Sequence, residues 1–279
     1  MKLSKLNESQ FKTLSISLND GVAEIVLNSG SVNALGSQMI KELRELLHLL
    51  EKDNSVKVIV FDSANPDFFI AHVDMRILED KKLFDKLVEE TPEGVNLFQS
   101  VGEMIRTQPQ VTIVKLKGIA RGGGAEFVTS SDMIFASIEK GKLSHNEALM
   151  GILPGGGGTQ YLQERMTRNR VMEITLGADL FDAVTAERYG WINRALPHHE
   201  LDLFVNSLAK NIANLPDGVV KHMKQLVPPA GNAEGLIAEH NAWLTLISNP
   251  IAGQIMSKAL ENGAQTVEGE LELEKLLRA

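Results

Sequence analysis

The hydrophobic pattern begins with two short segments that alternate or repeat apolar residues as strands do. Residues 14–18 alternate apolar and polar side chains, and residues 22–27 form a second apolar segment. Asn19-Asp20-Gly21 separates them, and Asp-Gly suits the positive φ angles of a tight turn. The chain is therefore predicted to open with a β-hairpin.

A helix and several buried strands follow. From Ser37 to Leu50, apolar residues recur at helical spacing over about four turns. Continuous apolar runs at 56–61, 111–116 and 133–136 are typical of strands buried on both faces. The charged segment from about 76 to 93 has poor periodicity and predicts a mobile, lid-like connection. A helix marked by Val95, Phe98, Val101 and Ile105 comes next.

The second half of the chain changes from mixed to helical patterns. Helices are predicted at 159–166, 170–176 and 183–189, and a strand at 191–196. Beyond residue 198 only helical patterns remain, at 201–215, 218–226, 233–247 and 251–260. We therefore predict an α/β core over residues 1–199 and an all-helical segment over 200–279. Its helices are expected to supply core and subunit contacts, and its acidic end, where glutamates interleave with leucines, a solvated face.

Composition narrows the class of protein. Of 279 residues, 43% are hydrophobic and 23% charged, as in an ordinary globular protein. The net charge of −8 argues against a nucleic-acid or basic membrane partner. The absence of cysteine excludes disulfides, thiolate zinc sites and a cysteine nucleophile. No apolar run approaches the roughly 20 residues that cross a bilayer, and the N-terminus has no apolar signal core, so we expect a cytoplasmic protein.

Residues 115–158 concentrate the candidate chemistry. An apolar strand runs into Gly122-Gly123-Gly124 and then into a helical pattern, an order that points free N–H groups above the loop. Glu126 lies three residues after Gly123 and projects on the same side of the helix as its N–H. A second acid, Glu147, precedes another glycine cluster at 155–158. Neither cluster is followed by Lys-Ser/Thr, which excludes a phosphate loop.

Other polar residues have structural interpretations. Asp74 and Asp132 suit caps or loop anchors. Ser144, His145 and Asp182 form no supported triad, because nothing places the serine on a nucleophile elbow. The glycines at 155–158 suit a loop that passes close beneath a ligand, and we assign no chemistry to them.

Six motifs, in the right order and spacing, resemble the enoyl-CoA hydratase/isomerase (crotonase) superfamily from the Val22 strand to about Leu196. The motifs are Asn33-Ala34-Leu35, Ala71-His72-Val73-Asp74, Gly118-x-Ala120-x-Gly122-Gly123-Gly124-x-Glu126, Asp132 before a strand, Glu147-x-x-x-Gly151-x-x-Pro154-Gly155-x-Gly157-Gly158-Thr159-Gln160 and Ala186-x-x-x-Gly190-x-x-Asn193. The resemblance implies an α/β fold, a crotonase-like spiral of ββα units with an all-helical C-terminal segment. It also implies a homotrimer or a dimer of trimers.

The resemblance further implies an acyl-CoA thioester as substrate, no metal, and no cofactor beyond the coenzyme A of the substrate. The backbone N–H groups of Val73 and Gly123 would form an oxyanion hole. Glu126 and Glu147 would be the catalytic acids that hold a water over the alkene. Residues implied to contact substrate are Ala34, Ala71, His72, Asp74, Gly122 and Gly151.

The chemistry of hydration explains why such residues are needed. Adding water to a 2-enoyl thioester pushes electron density onto the thioester oxygen, and losing one N–H donor to that oxygen costs about 3 kcal/mol. One carboxylate takes a proton from water while a carboxylic acid delivers one to the α-carbon, so the two acids need separated pKa values. Spacing does not say which glutamate plays which part, and we assign the pair jointly.

The sequence also departs from the family pattern. His72 stands where glycine is usual, either as a loop histidine packed against its neighbours or as an extra donor or base near the thioester. Histidine there would tolerate a positive φ at a cost that glycine avoids. Residues 29–32 lack the usual basic residue and proline, and the C-terminal stretch lacks the usual basic-aromatic run. These two departures suggest looser CoA binding or a neighbouring subunit's contribution.

Alternative functions stay open at this point. Two acids favour hydration of a trans-2-enoyl-CoA to a 3-hydroxyacyl-CoA, whereas a Δ3,Δ2-enoyl-CoA isomerase can work with one. Thioester hydrolysis, decarboxylation and carbon–carbon cleavage also occur in this superfamily. A non-catalytic assembly or binding protein could keep the fold without the activity, but intact Glu126, Glu147 and Gly123 argue against it.

Overall fold

The computed structural model describes residues 11–278, and strands and helices are numbered along the chain. The larger sheet has six strands, in the order β1 (Leu14–Asn19), β2 (Val22–Leu27), β3 (Val58–Ser63), β5 (Val111–Leu116), β7 (Met133–Ser137) and β10 (Arg194–Leu196). Only the β1–β2 pair is antiparallel, which confirms the predicted hairpin. The other neighbours in this sheet are parallel.

A smaller sheet lies beyond the ends of these strands. Its order is β4 (Phe68–Ile70), β6 (Ile119–Arg121), β8 (Lys142–Ser144) and β9 (Phe181–Asp182). The first three are parallel, and β9 is antiparallel to β8. Successive turns of the chain add one strand to each sheet, so β3–β4, β5–β6 and β7–β8 form the predicted spiral.

Helices connect the turns of the spiral and then follow it, with no further strand up to residue 278. The first seven are α1 (Ser37–Glu51), α2 (Lys81–Glu89), α3 (Leu97–Arg106), α4 (Gly123–Thr129), α5 (Gly158–Arg165), α6 (Arg168–Gly177) and α7 (Ala183–Tyr189), with a 3-10 helix at Glu147–Met150. The C-terminal helices are α8 (His198–Ala213), α9 (Val219–Leu226), α10 (Ala233–Ile247), α11 (Pro250–Glu261), α12 (Val267–Leu271) and α13 (Leu273–Arg278). Within residues 11–278, none of the helices is both long and apolar enough to cross a membrane.

The core forms on both faces of the larger sheet. On one face, α1 buries a continuous apolar stripe that includes Leu43 and Leu47. On the other, α8 places Leu201 and Val205 against Val58 of β3. The first C-terminal helix therefore belongs to the packing of the sheet, because its apolar stripe is what covers that face.

Three expectations about local structure are wrong. The charged segment, which was expected to lack helical periodicity, contains α2, which packs Phe84 and Leu87 on the core while its lysines face solvent, and Arg44 Nη1 donates to the Leu87 carbonyl at 2.9 Å. The strand predicted at 191–196 begins only at Arg194, because the N–H groups of Trp191 and Ile192 still donate to the Ala186 carbonyl of α7. The acidic end is not a solvated face throughout, since Glu270 is fully buried.

Candidate active site

Three parallel strands of the smaller sheet deliver the candidate residues to one edge. Val73 follows β4, Gly123 and Glu126 follow β6, and Glu147 follows β8. Because parallel strands end at the same side of a sheet, loops far apart in sequence meet there. The short strands thus explain why residues as far apart in sequence as Val73 and Glu147 converge on one site.

Val73 and Gly123 lie against each other. The N–H of Leu35 donates to the His72 carbonyl at 2.9 Å, and the N–H of Asp74 donates to the Leu35 carbonyl at 3.1 Å. The N–H of Val73, which alternates with these groups, therefore points away from Leu35. Gly123 is the first residue of α4, where N–H groups have no acceptor within the helix. A Cβ on Gly123 would overlap Val73 Cγ2, so only glycine allows this close approach.

Gly122 brings the loop after β6 close to the loop after β8. Its φ of +49° favours glycine, and its N–H donates to the Ser144 carbonyl at 3.0 Å. A Cβ there would lie 3.2 Å from Glu147 Oε1. The glycine therefore lets the Glu147 carboxylate rest beside the start of α4.

Glu126 is held by the second glycine cluster. Its Oε1 accepts hydrogen bonds from the N–H of Gly156 at 2.7 Å and of Gly158 at 3.0 Å. A Cβ on either glycine would collide with the Glu126 carboxyl group. The run at 155–158, to which the sequence analysis assigned no chemistry, orients one of the two acids.

The electrostatic surroundings of Glu126 favour its protonated form. Its side chain is 5% exposed. Burial, with the charges of Glu147 and Glu239 added, raises the pKa of Glu126 to about 8, although His145 and the Gly156 N–H act in the opposite direction. A carboxyl group with this pKa holds a proton at neutral pH and can release it in a reaction.

His145 is a buried partner of Glu147 that the sequence analysis missed. Its Nδ1 lies 3.4 Å from Glu147 Oε1, and its ring stacks on Trp191 with centroids 5.6 Å apart. Burial alone would lower the pKa of His145, but Glu147, Glu126 and Glu239 raise it further than burial lowers it. The site thus places a histidine beside its acids, and the sequence signal for it is the run His145-Asn146-Glu147.

Glu239, on α10, is a third acid that no motif indicated. Its Oε1 accepts from the N–H of Gly157 at 2.6 Å, and its Oε2 accepts from the N–H and hydroxyl of Thr159, the former at 2.9 Å. Burial raises the pKa of Glu239, whereas these hydrogen bonds and one from Gln99 lower it. The effect of burial is the larger, so the pKa is raised overall. A C-terminal helix therefore anchors the loop that holds Glu126.

Glu126 and Glu147 face a cavity of about 260 Å³ whose wall is largely apolar. Val73 and Gly123 lie in the same wall. Further apolar lining residues come from the loops and from helices α2, α3, α10, α11 and α13: Met75, Ile77, Leu78, Phe84, Phe98, Met150, Ile152, Leu153, Trp243, Ile247, Met256 and Leu273. The chain's own C-terminal helices close the far side of the cavity.

Sequence comparison identifies the family to which this arrangement belongs. The family model described as enoyl-CoA hydratase/isomerase matches residues 17–262, which is most of the chain. The chain belongs to the enoyl-CoA hydratase/isomerase family. The match confirms the resemblance drawn from the six motifs.

Individual relatives agree with this assignment. A "probable enoyl-CoA hydratase" of Mycobacterium bovis is 26% identical over 243 residues, covering 84% of this chain and 91% of the relative. A mitochondrial "probable enoyl-CoA hydratase" of Dictyostelium discoideum is 28% identical over 221 residues, covering 78% of this chain and 76% of the relative. The crystal structure of a "putative enoyl-CoA hydratase" from Streptomyces avermitilis is 55% identical with a TM-score of 0.95, covering 96% of this chain and 98% of that one.

The residues that the family pattern implied for substrate contact are divided between the cavity and its surroundings. His72, Asp74 and Gly122 lie in the cavity wall. Ala34 and Ala71 lie outside it, in a small cluster that also contains Val267 of α12. Gly151 also lies outside this wall and ends the 3-10 helix with a φ of +73°. Asp74 acts as a loop anchor, accepting from the Arg76 N–H at 2.9 Å.

His72, the departure from the family pattern, is packed against neighbouring residues. Its Nε2 lies 2.8 Å from Glu270 Oε1, and its Nδ1 lies 2.6 Å from the Val73 carbonyl oxygen. Burial alone would lower the pKa of His72, but Glu270 and the Val73 carbonyl raise it further than burial lowers it. His72 does not have a positive φ, which among non-glycine residues of 11–278 occurs only at Asp20, Asn33, Ala178 and Gln265. The structure thus supports the packed-loop interpretation, since both ring nitrogens have partners.

Other polar positions match their structural interpretations. Asp132 Oδ2 accepts from the Thr112 N–H at 2.8 Å, and Asp182 accepts from the Thr185 N–H at the start of α7. In the part of the chain that the structure describes, no group of three or more histidine or acidic side chains is arranged to hold a metal ion.

Proposed function

We propose that this protein adds water to a trans-2-enoyl-CoA thioester and so forms a 3-hydroxyacyl-CoA. The observation that carries the proposal is that Glu126 and Glu147, which are 5% and 6% exposed, face the same cavity as the adjoining Val73 and Gly123. Two carboxyl groups beside two available N–H donors are what the reaction requires.

The thioester carbonyl would be polarised by the N–H groups of Val73 and Gly123. As water attacks the β-carbon, electron density moves to the carbonyl oxygen, and fixed donors stabilise that charge without reorganising. The first turn of α4 adds the positive end of its dipole at Gly123. The adjoining positions of Val73 and Gly123 support this assignment.

The two acids would transfer protons as a pair. One carboxylate accepts a proton from water while the water oxygen bonds to the β-carbon. The partner acid gives a proton to the α-carbon, so the net change is the addition of one water molecule. The raised pKa of Glu126 supports a pair that holds one proton at neutral pH. Activity would then fall at alkaline pH as the pair loses this proton.

The wall of the cavity indicates the kind of acyl group. Apart from His72, Asn146 and the acids, the cavity is lined by apolar and small residues, and none of the described lining residues is lysine or arginine. A carboxylate on the acyl chain would be buried there with no lysine or arginine to pair with, and the His72 ring already bonds to Glu270, so its burial would cost several kcal/mol. We therefore propose an uncharged aliphatic acyl group.

Separate Glu126→Gln and Glu147→Gln variants test the reaction. Hydration of crotonyl-CoA is measured as the decrease in the absorbance of the enoyl thioester. Each should lower kcat by about 100- to 10,000-fold, the usual contribution of a general acid or base. Glu45→Gln is the control, since Glu45 is an exposed residue of α1.

Other outcomes separate the alternatives. The wild-type protein could instead isomerise a 3-enoyl-CoA and show no hydration. If Glu126→Gln retained that isomerisation, the protein would be an isomerase and not a hydratase. No binding of any acyl-CoA would indicate a non-catalytic protein.

We also propose that the chain forms a homotrimer or a dimer of trimers. Large apolar side chains are exposed near the end of α9, where Leu226 is 79% and Val227 70% exposed. Such a patch is typical of a contact between protein chains. Light scattering behind a sizing column tests this proposal, and a monomer at micromolar concentration would contradict it.

A further inference from the structure

We propose that Glu270, on α12, is a positioning residue that holds His72 and, through it, the backbone of Val73. The inference rests on the proposed function, in which the Val73 N–H stabilises the thioester oxygen. It assigns to the C-terminal segment a part in building the oxyanion hole, in addition to closing the cavity.

The first step of the argument is the position of His72 between two acceptors. The Val73 carbonyl oxygen, 2.6 Å from Nδ1, can only accept, so Nδ1 carries a hydrogen. The Glu270 carboxylate, 2.8 Å from Nε2, accepts from the other nitrogen, and the ring is therefore a cation. The His72 backbone is held as well, because its carbonyl accepts from the Leu35 N–H at 2.9 Å. The peptide units on both sides of the Val73 α-carbon are thus fixed.

The second step is that Glu270 is itself fixed and its charge balanced. Its Oε1 also accepts from the Gln265 N–H at 2.9 Å, and its Oε2 lies 3.5 Å from Arg121 Nη1. Arg121 makes two further bonds, from Nε and Nη2 to the Glu274 carboxylate at 2.6 and 3.0 Å. Cations and anions therefore alternate through the buried cluster His72–Glu270–Arg121–Glu274, which avoids an isolated buried charge.

The third step is the place of these cations in the chain. His72 directly precedes Val73, and Arg121 lies two residues before Gly123. Glu270 contacts both cations, so one side chain connects the two loops that carry the proposed N–H donors. No other acid among residues 11–278 pairs with both.

Packing keeps this part of the C-terminal segment against the loop after β4. Val267 packs with Ala34 and Ala71, and Leu273 of α13 packs with Met75. Gln265 Nε2 donates to Asp74 Oδ1 at 2.8 Å. The loop from 71 to 75 is therefore covered by the segment that carries Glu270, and its orientation depends on that segment.

Glu270→Gln tests the inference, with Glu268→Gln as the matched control on the exposed side of the same helix. Hydration kinetics are measured together with the affinities for butyryl-CoA and for its thioether analogue, which lacks the carbonyl oxygen. We expect Glu270→Gln to lower kcat about 10-fold or more, since misplaced oxyanion donors lose much of their effect. Affinity for butyryl-CoA should fall, while affinity for the thioether stays within about twofold of wild type.

A second measurement asks whether Glu270 acts through His72. His72→Gln should lower kcat by a similar factor, and adding Glu270→Gln to it should change kcat less than about twofold. Circular dichroism shows whether Glu270→Gln folds. If it does not, the affinities of His72→Gln for the thioester and the thioether test whether His72 positions the Val73 N–H.

Two results would overturn the inference. One is a Glu270→Gln protein with the kinetics of Glu268→Gln. The other is an equal loss of affinity for thioester and thioether, which would indicate a structural role alone. If wild type hydrates no enoyl-CoA, the proposed reaction fails, but the two affinities still decide whether Glu270 supports recognition of the carbonyl oxygen.

Discussion

The carboxylate of Glu239 accepts a hydrogen bond from the backbone N–H of Gly157 at 2.6 Å. This contact joins α10 to the glycine run whose neighbouring N–H groups bind Glu126. A helix from the C-terminal segment therefore sets the position of an acid that belongs to the spiral core.

Glu239→Gln should weaken this connection. The amide nitrogen of glutamine cannot accept, so donors at Gly157 or Thr159 would lose their partner, and we expect the free energy of unfolding to fall by about 1–3 kcal/mol. The charge of Glu239 raises the pKa of Glu126, so the alkaline fall in kcat should move to lower pH. Urea denaturation and a pH–rate profile check both, with Glu234→Gln, at an exposed site on the same helix, as control. An unchanged profile would contradict the proposed coupling.

Glu126→Gln should stabilise the protein increasingly as pH rises. A carboxyl group whose pKa is raised from 4.5 to about 8 on folding contributes stability that is present at low pH and lost as pH rises through 8. The gain of Glu126→Gln over wild type should therefore grow between about pH 4.5 and pH 8 and level off above, reaching at most about 5 kcal/mol. Urea denaturation from pH 5 to pH 9 measures this difference. A gain that does not vary with pH would show that burial does not shift this pKa.

Gly123→Ala should lower activity without a comparable loss of stability. Its Cβ would overlap Val73 Cγ2 and push apart the two proposed N–H donors, so kcat should fall about 100-fold. Gly253→Ala is the matched control, because a Cβ there, inside α11, meets nothing within 4 Å. That control should keep its kcat and gain about 0.5–1 kcal/mol of stability. Equal kcat values for the two variants would remove Gly123 from the proposed site.

Trp243→Ala should shift selectivity towards longer acyl chains. The Trp243 indole lies close to the Gly155 backbone, where a Cβ would be 2.6 Å from Cδ1, and it forms part of the cavity wall. Removing it enlarges the cavity, and the ratio of kcat/KM for a ten-carbon over a four-carbon enoyl-CoA should rise about 10-fold. Leu244→Ala, on the exposed side of the same helix, is the control. An unchanged ratio would place the acyl group elsewhere.

Local patterns predicted the long elements well and the short ones poorly. Helix α1 and strand β5 carry enough apolar residues in sequence for their periodicity to be evident. Strands β4, β6 and β8 have three residues each, too few to show a period, although they are the ones that assemble the site. The charged helix α2 was missed because its exposed lysines hide a narrow apolar stripe.

The sequence indicated those candidate site residues that act through the backbone or belong to one motif. It did not indicate residues that meet only because distant segments of the chain pack together. Gly123 and Glu126 are close in sequence, so helical geometry alone relates them. Glu270 is 198 residues from His72, and its neighbours in sequence are as acidic as those of an exposed tail. Nothing local distinguishes a glutamate that will be buried against a cation from one that will face water.

The sequence by itself indicated an α/β core with a helical end and two glycine clusters, because these follow from periodicity and turn chemistry, and its resemblance to the family implied the spiral and the two acids. Tertiary structure alone decided which polar residues are buried together: Glu239 with Gly157, His145 with Glu147, and Glu270 with His72 and Arg121. The physical reason is that the cost of burying a charge depends on the partners that the fold brings to it, and those partners lie in distant parts of the chain.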